Sequence, residues 1–160
     1  MEKEVEIKMS TKIIYDYLIY NTYTSLQGII GVFIGLLMII GFLCDMGIIY
    51  LILGIVIILY LPWNLYLKAG LQMQRNETFK KPLKFIFTDE GISVAQDGMQ
   101  EMQKWEDMHK AVSTMNSIIV YTSKYNATIL PKKQLGADKL DIIEIISTHM
   151  DPKKVKIRLI

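Results

Sequence analysis

Hydrophobic and polar positions follow each other along this chain with changing periods, and each period predicts a different element. Val5, Ile7 and Met9 alternate with Glu4, Glu6 and Lys8, the period of two that marks a half-buried strand. From Leu26 the polar positions all but vanish. Two apolar runs, 26–43 and 47–67, are separated by Cys44, Asp45 and Met46, and Asp45 is the only charged residue between Tyr17 and Leu67. Each run offers about 20 residues, enough at ~1.5 Å rise per residue to cross ~30 Å of hydrocarbon. The pattern predicts a two-helix transmembrane hairpin.

Between the first strand and the hairpin, Ser10 or Thr11 can cap a helix over 12–25, because either hydroxyl can accept from the free N–H groups of a first turn. Tyr15, Tyr17, Tyr20 and Tyr23 of this helix precede the first span. Such amphipathic rings favour the headgroup layer, or they pack against the soluble domain. After the hairpin, Asn76 to Pro82 interrupt the helical pattern and the period of two returns. Leu83, Phe85 and Phe87 oppose Lys84, Ile86 and Thr88, 89–91 form a turn, and Ile92 and Val94 continue to Asp97-Gly98, the dipeptide of a tight β-hairpin. Further strands are expected over 99–105, 111–115, 118–122 and 127–130, with a helical turn within 106–110 and turns at 116–117 and 124–126. Asp138 with Asp141 is expected to cap a helix whose stripe is Leu140, Ile143, Ile146 and Met150, stopped by Asp151-Pro152. Val155, Ile157 and Leu159 then alternate with Lys154, Lys156 and Arg158, a last strand with a basic face and a candidate partner surface.

A single strand cannot stand alone, so the first strand needs partners beyond residue 82. The expected architecture is an α+β membrane protein in which the hairpin (26–67) is inserted between an N-terminal strand and interfacial helix (1–25) and the rest. A basic segment (68–82) and a cytoplasmic domain (83–160) of antiparallel strands with a C-terminal helix follow. The mixed charge of the first 25 residues is unlike the basic start of a cleaved secretory signal.

Charge orients this arrangement. The formal net charge of +2 conceals five cations, Lys68, Arg75, Lys80, Lys81 and Lys84, clustered against Glu77 just after the second span. Basic residues beside a span mark the cytoplasmic side, so both termini are expected inside a multi-pass protein of the cell membrane, with the turn at Asp45 outside and solvated. Each of the five cations near the surface would contribute about 1 kcal/mol toward anionic lipid, unless they serve as topology determinants alone. Pro62 can kink the second helix, and Trp63, Tyr66 and Lys68 are the anchors of an inner interface. Gly28, Gly31 and Gly35 offer a small-residue face on which a backbone can approach closely. Its partner is the second helix, with Gly47 and Gly54, or a second copy through Gly31 and Gly35.

Chemistry is sparse. His109 and His149 lack neighbours at metal-ligand spacing, and the single Cys44 cannot form an internal disulfide. No nucleophile elbow, phosphate loop or dinucleotide motif occurs, so no enzyme and no cofactor is expected. The modest charge and the absence of a recognition module argue against nucleic acid. Trp105 is expected in a core with Phe85, Ile92, Val94, Ile119, Tyr121 and Ile129, while Lys132 and Lys133 are read as solvated.

Two adjacent spans, a meander holding Phe85, Gly91 and Ile92, then Trp105, Val120-Tyr121, the run Ile129-Leu130-Pro131-Lys132-Lys133 and a terminal helix together resemble the YcxB-like family of small bacterial membrane proteins, over about residues 1–150. The resemblance implies a C-terminal domain similar to a pleckstrin-homology (PH) barrel and no known catalytic mechanism; the basic tail, 153–160, has no counterpart. The expected function is a non-catalytic membrane-anchored PH-like adaptor or regulatory module that binds a membrane or cytoplasmic protein at the inner leaflet. An immunity protein against a toxin or pore is the alternative, and a lipid or small-molecule enzyme a third. The orientation is directly testable: an impermeant thiol reagent added to intact cells is expected to label Cys44, and labelling only after lysis would reverse the topology.

Overall fold

In the computed structural model, which describes residues 2–123 and 126–157, the first strand does find its partner beyond the hairpin. Lys3–Ile7 (β1) pairs antiparallel with Leu83–Phe87 (β2), Val5 lying opposite Phe85. Everything between them is an insertion into this sheet: helix Thr11–Tyr23 (α1), helix Leu26–Leu43 (α2), helix Ile48–Arg75 (α3) and a 3-10 turn at Glu77–Lys80. Both α2 and α3 are long and apolar enough to cross a membrane, and 11% of the apolar window of each is buried within the chain.

The sheet continues through Gly91–Gln96 (β3) and Met99–Lys104 (β4) in the order β1-β2-β3-β4. Asp97 at φ 51° and Gly98 at φ 83° form the two-residue connection, both in the left-handed region that such hairpins require. A 3-10 turn at Trp105–Asp107 follows, then Lys110–Ser113 (β5), Ser117–Tyr121 (β6) and Ala127–Pro131 (β7). A short helix Lys132–Leu135 (α4) and the helix Lys139–His149 (α5) lead to Val155–Lys156 (β8), which pairs parallel with β5. The second sheet has the order β7-β6-β5-β8.

The expected barrel is not closed. The fold is α+β with two separate four-stranded sheets, antiparallel except for the β5–β8 pairing. The break falls at the Trp105 turn. The Trp105 N–H donates back to the Glu90 carbonyl and the indole Nε1–H to the Thr88 carbonyl at 2.9 Å, so the chain leaves the first sheet at this turn before β5 begins.

One core nevertheless joins the two sheets, holding Ile7, Phe87 and Ile92 from one and Ile118, Ile119 and Leu130 from the other. Ile142, Ile143, Ile145, Ile146 and Met150 of the last helical segment complete it, whereas Leu140 is 59% exposed. At about 100° per residue the isoleucine pairs centre the buried face between them and leave Leu140 roughly 140° from that centre. The expected caps are also replaced. Ser10 receives the Ile13 and Ile14 N–H groups on its carbonyl rather than its hydroxyl. Asp138 makes no side-chain cap; with Asp141 it holds the Lys3 ammonium, at 3.0 and 2.8 Å. Its hydrogen bonds to Asp141 and then Asp138 raise that ammonium above its ordinary value. They tie β1 to α5.

The α2–α3 contact is a glycine contact. A Cβ on Gly54 would lie 2.8 Å from the Gly35 carbonyl oxygen, and one on Gly35 would lie 2.7 Å from Ile58 Cγ1. Gly54→Leu should therefore push the two helices apart, at an overpacking cost of about 1–3 kcal/mol. A lowered midpoint of thermal unfolding in detergent is expected, while Gly70→Ala, where nothing lies within 4 Å, should leave it unchanged or raised.

Tyr121 carries a second prediction. Its side chain is buried, its hydroxyl has no hydrogen-bond partner among the described residues, and burial, with Tyr17 and Tyr20 nearby, pushes the phenol well above its ordinary value. Above a pH of about 10 the unfolded chain releases this proton and the folded chain keeps it, so stability falls as pH rises. Tyr121→Phe is expected to be neutral or stabilising by about 1 kcal/mol at pH 7 and to reduce the alkaline loss in urea titrations.

Candidate functional site

The helix α1 fastens the apolar hairpin to the sheets. On one side Ile14 is buried and Tyr15 meets Tyr66 of α3 edge to face, the ring centroids 5.6 Å apart. On another, the Asp16 carboxylate accepts from the Thr114 hydroxyl at 2.6 Å and the Asn116 amide at 3.0 Å, at the β5–β6 turn. Tyr17 leans on Tyr121, 6.2 Å between centroids. The tyrosines of α1 thus pack inward: Tyr15, Tyr17 and Tyr20 are half-buried against the core.

Because α1 is held at both sides, a cleft of about 750 Å³ remains between α1, α3 and β7. Its walls are Ile14, Tyr17 and Leu18 of α1, Lys68, Leu71, Gln72 and Arg75 of α3 with Asn76 and Phe79 beyond it, and Asn126 with Ala127 and Ile129 of β7. Lys68 and Arg75 are seven residues apart, so two turns of helix place them on one face. Burial raises the Tyr17 phenol above its ordinary value, a mark of the apolar character of this wall.

The five basic residues expected to act together do not form one patch. Lys80 lies 3.7 Å from Glu77, Lys81 donates to Asp97 at 2.5 Å, and Lys84 meets Glu4 at 2.6 Å. The Asp97 hydrogen bond raises the Lys81 ammonium above its ordinary value. Lys68 and Arg75 stand apart: among the described residues no carboxylate pairs with either, and both line the cleft. Glu4 could have been anticipated, since pairing β1 with the strand after Pro82 brings its outward acids beside Lys84.

The glycine set divides likewise. Gly35 packs on Gly54, Gly31 makes ordinary contact with Leu61 of α3 at 3.5 Å, and Gly28 sits against the Thr22 carbonyl at the α1–α2 corner. In the tail, the Lys154 ammonium donates to the Met108 carbonyl at 3.1 Å and Lys156 lies exposed in β8, whereas Arg158 lies outside the described residues. The anticipated turn at 124–126 is described only at Asn126. Trp105 is buried, as expected of a core residue, and stacks on the His149 ring at 5.6 Å. The His149 Nδ1 lies 2.9 Å from the Ile145 carbonyl and its Nε2 3.6 Å from Asp89, so this histidine braces the end of α5. Among the described residues no three His, Cys, Asp or Glu side chains are grouped to hold a metal.

Two other depressions are less distinctive. One, of about 590 Å³, lies beside Asp16, Tyr20, Thr114 and Lys132; there Lys132 already donates to the Thr114 carbonyl at 2.6 Å, and burial lowers its ammonium from the ordinary value. The other is an aromatic groove along α3 at Tyr60, Trp63 and Tyr66.

Residues 87–147 match the family model described as YcxB-like protein, the family that the sequence resembles. The match begins at the end of β2 and stops within α5, so it takes in the β7 wall of the cleft and not its two helical walls. No curated protein and no solved structure matches the chain.

Proposed function

We propose that the protein is a non-catalytic module, anchored in the cell membrane by α2 and α3, that holds a PH-like domain against the inner leaflet to bind a protein partner there. The observation that carries this reading is the insertion itself. β1 and β2 pair on either side of the hairpin, and α3 runs unbroken through Pro62 for 28 residues, roughly 42 Å at 1.5 Å per residue. That exceeds the ~30 Å of a hydrocarbon core by about two turns, which carry Lys68 and Arg75. A domain joined by a strand pairing and a continuous helix has little freedom to leave the surface.

The outward apolar faces of α2 and α3 support a membrane setting. Leu26 and Leu43, at the two ends of α2, are both 73% exposed, and Phe33 between them is 60% exposed; apolar surface of this extent on a soluble monomer would be an aggregation hazard. The concentration of basic residues in the last turns of α3 and just after it, against a lone Asp45 at the opposite end of the hairpin, supports cytoplasmic termini. The meander with a closing C-terminal helix supports a PH-like relationship for the domain.

The adaptor role is tested in cells by placing a photo-crosslinking residue at Met99 or Met115, which are 82% and 92% exposed. The expected result is a discrete protein adduct from one of these positions that an excess of unmodified chain competes away. Adducts that do not saturate, or lipid adducts alone, from both positions would overturn it.

A further inference from the structure

We infer that the cleft between α1, α3 and β7 holds the phosphate of an anionic phospholipid of the inner leaflet, gripped by Lys68 and Arg75. The inference rests on the membrane orientation proposed above and assigns a ligand to one site within it.

Three observations converge on this chemistry. The first is charge. Lys80, Lys81 and Lys84 each meet a carboxylate of their own chain, while Lys68 and Arg75 meet none among the described residues and share a helix face at the cleft. Two uncompensated cations on one wall attract an anion, and a guanidinium matches two phosphate oxygens at once. The second is the wall opposite and between them. Beside the polar Gln72, Asn76 and Asn126, Ile14, Leu18, Leu71 and Ile129 give this cleft apolar surface that a free phosphate ion would not use. An amphiphile, with an anionic head and an apolar body, uses both.

The third observation is position. Lys68 follows directly on the apolar stretch that ends at Leu67, the level at which lipid phosphates would lie. Arg75 is about 10 Å further along α3 at 1.5 Å per residue, but side chains of a helix lean toward its N-terminus. Here that direction is back toward the bilayer, so the long Arg75 side chain leans toward the plane of Lys68. Both cations line the one cleft, Lys68 at its bilayer end and Arg75 reaching back along the same helix face.

The test uses the full chain, purified in mild detergent, exchanged against phosphatidylglycerol or phosphatidylcholine and weighed intact by native mass spectrometry. The wild-type chain is expected to retain one phosphatidylglycerol with a preference over phosphatidylcholine of about tenfold or more. Lys68→Gln with Arg75→Gln should abolish that preference, while Lys80→Gln, Lys81→Gln and Lys84→Gln together should change it by less than about twofold. Circular dichroism and thermal unfolding of both variants confirm that the fold is kept, and the single Arg75→Lys variant, which keeps charge but not the planar fork, should lie between. An equal loss in the triple variant would mean diffuse surface attraction and overturn the proposal. So would displacement of the lipid by inorganic phosphate or glycerol phosphate at matched concentration, or equal retention of phosphatidylcholine. An acidic protein held through Lys68 and Arg75 in place of lipid would overturn it as well. Cys44 labelling in intact cells separates the two readings: lost lipid preference with Cys44 still labelled refutes the lipid site alone, and an inaccessible Cys44 refutes the orientation beneath it.

Discussion

The structure depends first on the ladder between β1 and β2. Its five residue pairs bridge the whole insertion, and each side of the ladder is weak without the other: β1 is a lone strand of five residues, and β2 would otherwise be an open edge. Closing so long a loop costs entropy that grows only slowly with its length. Here the cost falls further because three packed helices, rather than a flexible chain, fill the loop. The Lys3 tie to Asp138 and Asp141 extends the same linkage from β1 to α5, so the first and last thirds of the chain share one core.

From that constraint the helical geometry follows. With β1 fixed in the sheet, α1 must start at the sheet and end at the hairpin, which places it between the two. It meets that position with different side chains on different faces: Tyr15 toward α3, Asp16 toward the β5–β6 turn, Tyr17 toward β6. The cleft is what these contacts leave unfilled. Among the described residues its two cations meet no carboxylate, whereas Lys80, Lys81 and Lys84 each meet one.

Much of this was legible in the sequence, for a definite reason. The apolar runs, the alternating β1 and β2, and the Asp97-Gly98 turn are written in local periods and in the conformational needs of one or two residues, and each appears where those rules put it. The insertion was legible too, because a strand before the hairpin has partners only after it. What local rules could not reach were choices made by distant groups. The break between the sheets depends on Trp105 reaching back to Thr88. The Asp138 carboxylate turns to Lys3 instead of capping α5, and Leu140 is exposed because two isoleucine pairs reset the buried face. The basic cluster looked uniform because Asp97 is remote from Lys81 in sequence; the fold pairs Lys80, Lys81 and Lys84 with carboxylates and, among the described residues, leaves Lys68 and Arg75 without one.

The placement of β1 ahead of the hairpin also bears on how the protein is made. Synthesis delivers β1 first, then both apolar helices, and only afterwards β2, to which β1 must pair. The domain cannot assemble while the helices are still emerging, since its first sheet lacks a strand until residue 87 is free. Under the proposed topology, insertion into the bilayer therefore precedes folding, and the nascent chain has no folded cytosolic intermediate that could strand the hairpin in water.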